Sequence, residues 1–390
     1  MSDSERLINE SQIESANTGG RLHLLDFDRA ALRAWFETQD EPGYRADQVL
    51  DWAYAKGAET FQEMSNLGQT LRAALAEHFD IYRGRVTAES ASEDGTRKVL
   101  LTWPDGDSVE TVWIPDVGGP GGTGGPGGLG ATRHTACLSS QVGCPVGCRF
   151  CASGLGGVRR NLTAGEIVEQ ALRVQQLIRM SKPGETEGRA RPARLANVVL
   201  MGMGEPLANY DAVVAAVRIL NAPWGLNIGA RKITLSTVGL PKQIRRLAEE
   251  SLQLNLALSL HAPEQELREE LIPWGKVPLE ELLAACAYYF ERTGREITLE
   301  YVLLDGVNMA PEHAARLAKI ARRLRANVNL LRYNPVAGLP YERPSAATAH
   351  EFQERLREYG VNAHIRRSRG RDIDAACGQL RRRAGGAPEK

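Results

Sequence analysis

The sequence predicts an α/β protein: a partial (β/α)6 TIM-like barrel with an N-terminal accessory helical domain and a C-terminal extension. Three observations predict it. Six short apolar runs recur between residues 135 and 331 without polar alternation, as strands buried on both faces do. Segments with apolar residues at helical spacing fill the gaps, and repeated strand–helix units build a parallel sheet. The residues that carry chemistry cluster just past the ends of those runs, where a barrel collects its functional groups.

The elements follow in chain order. Residues 26–80 read as helical, since Asp28-Arg-Ala-Ala-Leu-Arg-Ala-Trp-Phe and Leu71-Arg-Ala-Ala-Leu-Ala-Glu-His-Phe repeat apolar residues at helical spacing. We take 1–95 as the accessory helical domain. Lys98-Val-Leu-Leu-Thr-Trp and Glu110-Thr-Val-Trp-Ile flank Pro104-Asp-Gly-Asp107, a strand–turn–strand signal. Residues 118–130 are almost entirely Gly, Pro and Thr, the composition of a flexible surface loop. No Lys-Ser/Thr pair ends the loop, so it is no phosphate cradle. The hairpin and this loop make a lead-in over 96–132.

The barrel is expected over 133–360. Its strands are predicted at 135–139, 197–201, 232–236, 254–260, 297–304 and 327–331. Thr163 and Glu166 form a capping box that opens the first helix, with Ile167, Leu172, Leu177 and Ile178 on its apolar face. Further helices fit 211–220, 241–249, 279–292, 311–325 and 346–359. The C-terminal extension, 361–390, carries Cys377.

Composition bounds the rest. With 43% hydrophobic and 25% charged residues, the chain is an ordinary globular protein and not a disordered, collagenous or wholly coiled-coil one. No run approaches the roughly 18–20 apolar residues of a membrane helix. Met-Ser-Asp-Ser-Glu-Arg lacks the basic flank and apolar run of a secretory signal, so a cytoplasmic protein without membrane partners is expected. The formal charge is zero but uneven. Residues 1–80 hold 7 Lys/Arg against 15 Asp/Glu, and residues 316–390 hold 17 against 7. The basic end is a candidate polyanion footprint, and equally a set of solvated arginines.

Four of the six cysteines fall within fifteen residues, at 137, 144, 148 and 151. In an intracellular chain such a cluster points to metal or redox chemistry. Cys144-Pro-Val-Gly-Cys148-Arg-Phe-Cys151 supplies three thiolates. A structural zinc site wants four ligands, whereas three cysteines can hold three irons of a [4Fe–4S] cluster and leave the fourth iron open. Zinc is the weaker reading. Cys286, in the helical segment Leu-Ala-Ala-Cys-Ala-Tyr-Tyr, reads as a small core residue.

Cys-x3-Cys-x-Phe-Cys after a first barrel strand resembles the signature of the radical S-adenosylmethionine (SAM) superfamily. That resemblance implies that the open iron chelates SAM, and that reductive cleavage yields a 5′-deoxyadenosyl radical. Gly202-Met-Gly-Glu205-Pro206 resembles the superfamily's glycine-rich SAM segment, with Gly204 giving close backbone approach and Glu205 accepting from the SAM ammonium. Ser236, Ser259, Leu260, His261 and Asn334, at or past later strand ends, complete the implied SAM contacts.

The surroundings of Cys137 and of Cys377, in Gly370-Arg-Asp-Ile-Asp-Ala-Ala-Cys377-Gly-Gln-Leu, together with Ser139-Ser-Gln-Val-Gly-Cys144, closely resemble the RlmN/Cfr family of radical SAM RNA adenine methyltransferases. The helical N-terminal unit resembles the RlmN branch; the 118–130 insertion departs from the shorter linker of the family. The resemblance implies two SAM molecules per turnover. One methylates Cys377, and the other yields the radical that takes hydrogen from the S-methyl group. The methylene radical then adds to the adenine ring, and Cys137 resolves the adduct through a transient disulfide with Cys377. Glu110 occupies the position of the family's proposed base, with a structural carboxylate as the equal alternative.

The implied substrates are an adenine of 23S rRNA, in the peptidyl transferase centre, and the adenine 3′ to the anticodon of tRNAs. The implied electron donor is of the flavodoxin kind. An adenine edge must be unstacked to react, and Arg366, Arg367, Arg369, Arg371 and 381–383 stand ready for phosphates near Cys377. Attack at C8, as in the Cfr branch, is the alternative within the family. A radical SAM enzyme for a small molecule or peptide would leave Cys137 and Cys377 without a task, and a non-enzymatic iron–sulfur or zinc RNA-binding module would leave the Gly-Met-Gly-Glu-Pro segment unexplained.

Overall fold

The computed structural model describes residues 20–116, 133–181, 193–274 and 276–381. The glycine-rich loop at 118–130, Arg382 and Arg383 lie outside the described residues.

The N-terminal unit is built from α1 (Arg29–Thr38), α2 (Tyr44–Leu50), which widens into a π turn over Asp51–Lys56, and α3 (Gln69–His78). Asp28 caps α1 by accepting from Ala31 N–H at 2.7 Å. Two short strands, β1 (Leu22–His23) and β2 (Phe79–Asp80), pair in parallel and close the unit. Leu32, Phe36 and Leu75 are fully buried, and Trp35 packs edge-on against Phe79 with centroids 4.8 Å apart.

The main sheet has ten strands. In spatial order they are β14 (Ala363–Arg366), β13 (Asn327–Arg332), β12 (Thr298–Leu303), β11 (Asn255–Ser259), β10 (Ile233–Thr237), β9 (Leu195–Leu200), β6 (Arg133–Cys137), β5 (Ser108–Asp116), β4 (Arg97–Thr102) and β3 (Arg85–Ala91). From β6 to β14 every pairing is parallel; β3, β4 and β5 extend the sheet antiparallel beyond β6. The order never reverses, unlike a doubly wound sheet. Its crossover helices, α4 (Ala164–Met180), α5 (Tyr210–Asn221), α6 (Pro241–Ala248), α8 (Leu279–Thr293), α9 (Pro311–Leu324) and α10 (Ala346–Glu358), pack on one another in a single layer. The result is the partial barrel, its parallel strands running from β6 to β14 and the sheet ending at β14 and β3.

Alternation along β12 shows how the sheet sorts its side chains. Leu299, Tyr301 and Leu303 are fully buried, Tyr301 stacking on Phe352 of α10, while Glu300 and Val302 face the barrel interior.

All six predicted barrel strands and the hairpin are present, with ends shifted by a residue or two. Several elements go beyond the expectation. Arg85–Ala91, placed inside the 1–95 accessory domain, forms an edge strand of the main sheet, and β14 adds a seventh parallel strand. A two-stranded ribbon, β7 (Gln141–Gly143) with β8 (Val158–Asn161), brackets the cysteine loop, and α7 (Gln265–Leu271) packs against it.

α4 ties the molecule together. Its Thr163–Glu166 capping box is formed, and Arg160 grips Glu166 at 2.7 Å. Buried Glu169 accepts from Arg83 and Gly84 N–H, and Asp26 accepts from Gly165 N–H at 2.5 Å. Buried Gln170 bonds Thr111, Ser139 N–H and Ser139 C=O. Polar residues inside this helix thus bind the N-terminal unit and the first strands to the barrel. Among the described residues, no helix is long and apolar enough to cross a membrane.

Candidate active site

A cleft opens at the C-terminal ends of the parallel strands. Cys144, Cys148 and Cys151 line it together with Gly202, Gly204 and Glu205, with Ser236, Ser259, His261 and Asn334, and with Cys377. Residues separated by more than 230 positions in sequence therefore share one hollow at the end of the barrel where function is expected.

The cysteine loop hangs from β7 and β8, its base closed by Cys144 N–H to Gly157 C=O at 3.1 Å. Val146 and Phe150 pack beneath it against Val238, Leu271 and Ile272, and Arg149 N–H bonds Leu271 C=O at 3.0 Å. Burial pushes the Cys144 thiol up to about 12, with the neighbouring Cys151 and Glu205 adding to the effect, and pushes Cys148 and Cys151 up as well. Three crowded, desolvated thiols ionise only beside a cation. Among the described residues they line a common wall and do not converge on one ion's position. This donor set fits three irons of a cluster.

The Gly202–Pro206 turn rests on the segment entering the cysteine loop. Ser140 N–H donates to Met203 C=O, and Met203 N–H to Ser139 Oγ. A Cβ on Gly204, whose φ is +106°, would lie 2.7 Å from Ser140 Oγ and 2.8 Å from Gln141 N. Glycine is thus needed first for loop-on-loop packing, a reason the strand-end position alone does not reveal. Gly204→Ala is expected to cost about 2 kcal/mol, read as a lower urea midpoint; an unchanged midpoint would refute that account.

Glu205 is buried and held between backbone donors, Leu207 N–H at 3.0 Å and Val238 N–H at 2.9 Å. Burial raises its carboxyl, and these N–H bonds oppose the rise. Ser236 and Ser259 hydroxyls lie 3.2 Å apart. His261, at φ +57°, accepts from Val302 N–H through Nδ1 at 3.0 Å, so the remaining nitrogen carries the proton. Burial lowers it to about 3, and it stays neutral. Leu260, between Ser259 and His261, is fully buried and outside the cleft lining.

The Cys377 segment lies directly over the cysteine loop. Ala152 N–H donates to Gly378 C=O at 2.8 Å, Ser153 Oγ to Leu380 C=O at 2.5 Å, and Asn334 Nδ2 to Cys377 C=O at 3.2 Å. Asn334 is therefore engaged with this segment, and Arg343 holds its other end. Cys377 exposes its surface into the cleft. Desolvation by the groups around the cleft mouth raises its thiol while Arg366 opposes the rise. Cys137, at the end of β6, is buried and outside the cleft lining, and burial pushes it up to about 12 with Cys377 adding to the effect.

Glu110 does not line the cleft. It pairs with Lys98 at 3.0 Å, and its second oxygen accepts from Arg381 N–H at 2.9 Å. Lys98 Nζ also donates to Asp374 C=O at 3.0 Å. Arg366 lies at the rim near Glu300, 3.8 Å away, and Glu300 accepts from Asn329 at 2.9 Å. Neither Lys98 nor Glu300 was singled out from sequence. A glutamate inside the apolar run 297–304 was the available signal for Glu300.

Comparison with known proteins gives a consistent picture. The family described as ribosomal RNA large subunit methyltransferase N-terminal domain matches residues 22–81, and the radical SAM superfamily matches residues 138–318. A protein of Thermosynechococcus vestitus named "probable dual-specificity RNA methyltransferase RlmN" is 47% identical, covering 92% of this chain and 98% of its own. A protein of the same name from Rhodopirellula baltica is 45% identical over 95% and 94%. The crystal structure of a radical SAM methyltransferase from Sphaerobacter thermophilus superposes with a TM-score of 0.83 at 43% identity, covering 92% of this chain and 99% of that one.

Proposed function

The chain belongs to the RlmN family of radical SAM RNA methyltransferases, and from that premise we propose that it methylates carbon 2 of adenine in 23S rRNA and in tRNA through Cys377. The observation that carries the reading is the single cleft holding the three cysteines, the Gly202–Pro206 turn and Cys377. Cys144, Cys148 and Cys151 would hold the cluster, and Gly204, Glu205, Ser236, Ser259, His261 and the Leu260 main chain would seat SAM. Bound there, cluster and SAM supply an electrophilic methyl group and, on one-electron reduction, a 5′-deoxyadenosyl radical, two SAM molecules being used per turnover.

The side chains divide the remaining work by exposure and charge. Cys377 faces the cleft beside Arg366, which opposes the rise that desolvation gives its thiol, and its sulfur takes the methyl group as its proton passes to solvent. Cys137, buried and held as a thiol, does not compete for it. Once the S-bound carbon is joined to the adenine, Cys137 attacks the Cys377 sulfur. The adduct radical gives back the one electron spent on SAM cleavage. The S–S bond forms as the C–S bond breaks, its electron pair going to the carbon, which takes up a proton. The ring proton and the Cys137 thiol proton pass to solvent, and a two-electron external reductant restores both thiols. Glu110, the base implied by resemblance, spends both carboxylate oxygens on Lys98 and Arg381 N–H. We therefore assign it to holding the Cys377 segment. Arg367, Arg369 and Arg371 surround that segment and suit RNA phosphates. A flavodoxin-type protein is the proposed electron donor.

The matching N-terminal family favours carbon 2 over carbon 8. The test is anaerobic cluster reconstitution, reaction with reductant, SAM, rRNA and tRNA, and analysis of digested nucleosides. 2-Methyladenosine is expected; 8-methyladenosine would move the activity to the other carbon. SAM cleavage with no methylated RNA would overturn the RNA assignment. Cys137→Ala is expected to accumulate an RNA-linked protein band that digests with ribonuclease, and normal multiple turnover by that variant would remove Cys137 from the mechanism.

A further inference from the structure

Arg268, in the middle of α7, is 1% exposed and among the largest fully buried side chains of the protein. Its Nη2 donates to Val238 C=O, and its Nε has no partner. Among the described residues, no carboxylate forms an ion pair with it. A buried guanidinium in this state has lost its water without gaining an anion, a cost of several kcal/mol per ion. Such a cation persists in a fold when something else supplies the negative charge.

The position of α7 indicates what that is. Leu271, one turn after Arg268, accepts from Arg149 N–H inside the cysteine loop. Leu267, Leu271 and Ile272 pack in the same apolar cluster as Val146, Phe150 and the three cysteines. The Arg268 charge opposes the rise that burial gives the Cys148 thiol and adds to the fall that burial gives His261, and both of these residues line the cleft. Its other neighbours in that field are Cys286, a fully buried core thiol, and Glu269 on the same helix. Three thiolates on a [4Fe–4S] core carry net negative charge, and one-electron reduction adds to it. Burial lowers the Arg268 guanidinium from its ordinary value while Cys148, Cys286 and Glu269 oppose the fall, and a guanidinium stays charged near neutral pH.

We propose that Arg268 is the fixed counter-ion of the cluster, a positioning residue in the electrostatic sense: it stabilises the reduced form and so raises the reduction potential. This rests on the reading that Cys144, Cys148 and Cys151 hold the cluster. One electron would pass from a low-potential reductant to the bound cluster with no accompanying proton, because the Arg268 charge already acts on Cys148. The residue lies outside the cleft lining, so it touches neither SAM nor RNA.

The experiment compares wild type with Arg268→Met, which keeps much of the volume and removes the charge, and with Arg268→Lys, which keeps a charge. Each full-length protein is reconstituted anaerobically with iron and sulfide. Each is then titrated with titanium(III) citrate without SAM or RNA, the reduced cluster being read by electron paramagnetic resonance. At a fixed potential, the ratio of reduced to oxidised cluster is expected to fall about tenfold in Arg268→Met, equivalent to about 59 mV for one electron. Lysine recovers most of the loss. Urea unfolding of the cluster-free proteins supplies the second readout. Without the cluster the buried cation is a burden, so Arg268→Met is expected to be at least as stable as wild type.

An unchanged potential in Arg268→Met overturns the proposal, as does a cluster-free Met variant that is insoluble or clearly less stable, since that marks a structural role. Failure of the wild type to take up a cluster overturns the three-cysteine reading instead, and the counter-ion with it.

Discussion

Cys377→Ala is expected to abolish RNA methylation, by more than about a thousandfold, without disturbing cluster uptake or the fold. Cys377 is solvent-facing and its segment is held by main-chain groups: Gly378 C=O by Ala152, Leu380 C=O by Ser153 and Cys377 C=O by Asn334. Removing one sulfur deletes none of these bonds, and a surface substitution of this kind changes stability by about 0.5 kcal/mol or less. Iron content and urea midpoint should therefore match wild type. SAM with a labelled methyl group should leave no label on the denatured variant and none in RNA. The cluster cysteines behave differently: Cys151→Ala loses a ligand, so iron content falls along with activity. Methylated RNA produced by Cys377→Ala would show that the methyl group never passes through this sulfur.

The parts legible in the sequence are those whose physics is local. Parallel strands buried on both faces must be apolar throughout, so β9 to β13 announce themselves as short runs, and the Thr163–Glu166 cap marks α4 within one residue. The cysteine spacing reflects the geometry of a single loop. What was missed depends on distant neighbours. β3 is exposed along almost its whole length, and its edge pairing with β4 leaves no apolar pattern. β14 has four residues, of which Ala363 is the buried one, and depends on β13 for its place. α7 is short and buries an arginine where a helical pattern would show an apolar residue. In the site, the Cys377 segment, the cysteine loop and the hairpin meet across more than 220 residues, so nothing near Lys98 signals its contacts.

That meeting sets up the second large effect. Lys98 and Glu110, 5% and 2% exposed at their side chains, form an ion pair on adjacent strands of the hairpin. Together they grip the chain on both sides of Cys377, Lys98 at Asp374 C=O and Glu110 at Arg381 N–H. Lys98→Met leaves a buried carboxylate without its cation, which costs about 3–5 kcal/mol and should appear as a large fall in the urea midpoint. The double variant Lys98→Met/Glu110→Leu replaces the pair by apolar groups of similar bulk, a change that is often neutral, so most of the stability should return. Activity should not return with it, because Asp374 C=O and Arg381 N–H still lack their partners and Cys377 is no longer held over the cleft. Glu110→Gln divides the two roles of that residue. An amide oxygen can still accept from Arg381 N–H but cannot take a proton. If the pair is an anchor, Glu110→Gln keeps activity within about tenfold of wild type and outperforms the double variant. If Glu110 is the base, Glu110→Gln is as inactive as Cys377→Ala. A double variant that regains stability and activity together would reduce the pair to a packing element with no hold on the reaction.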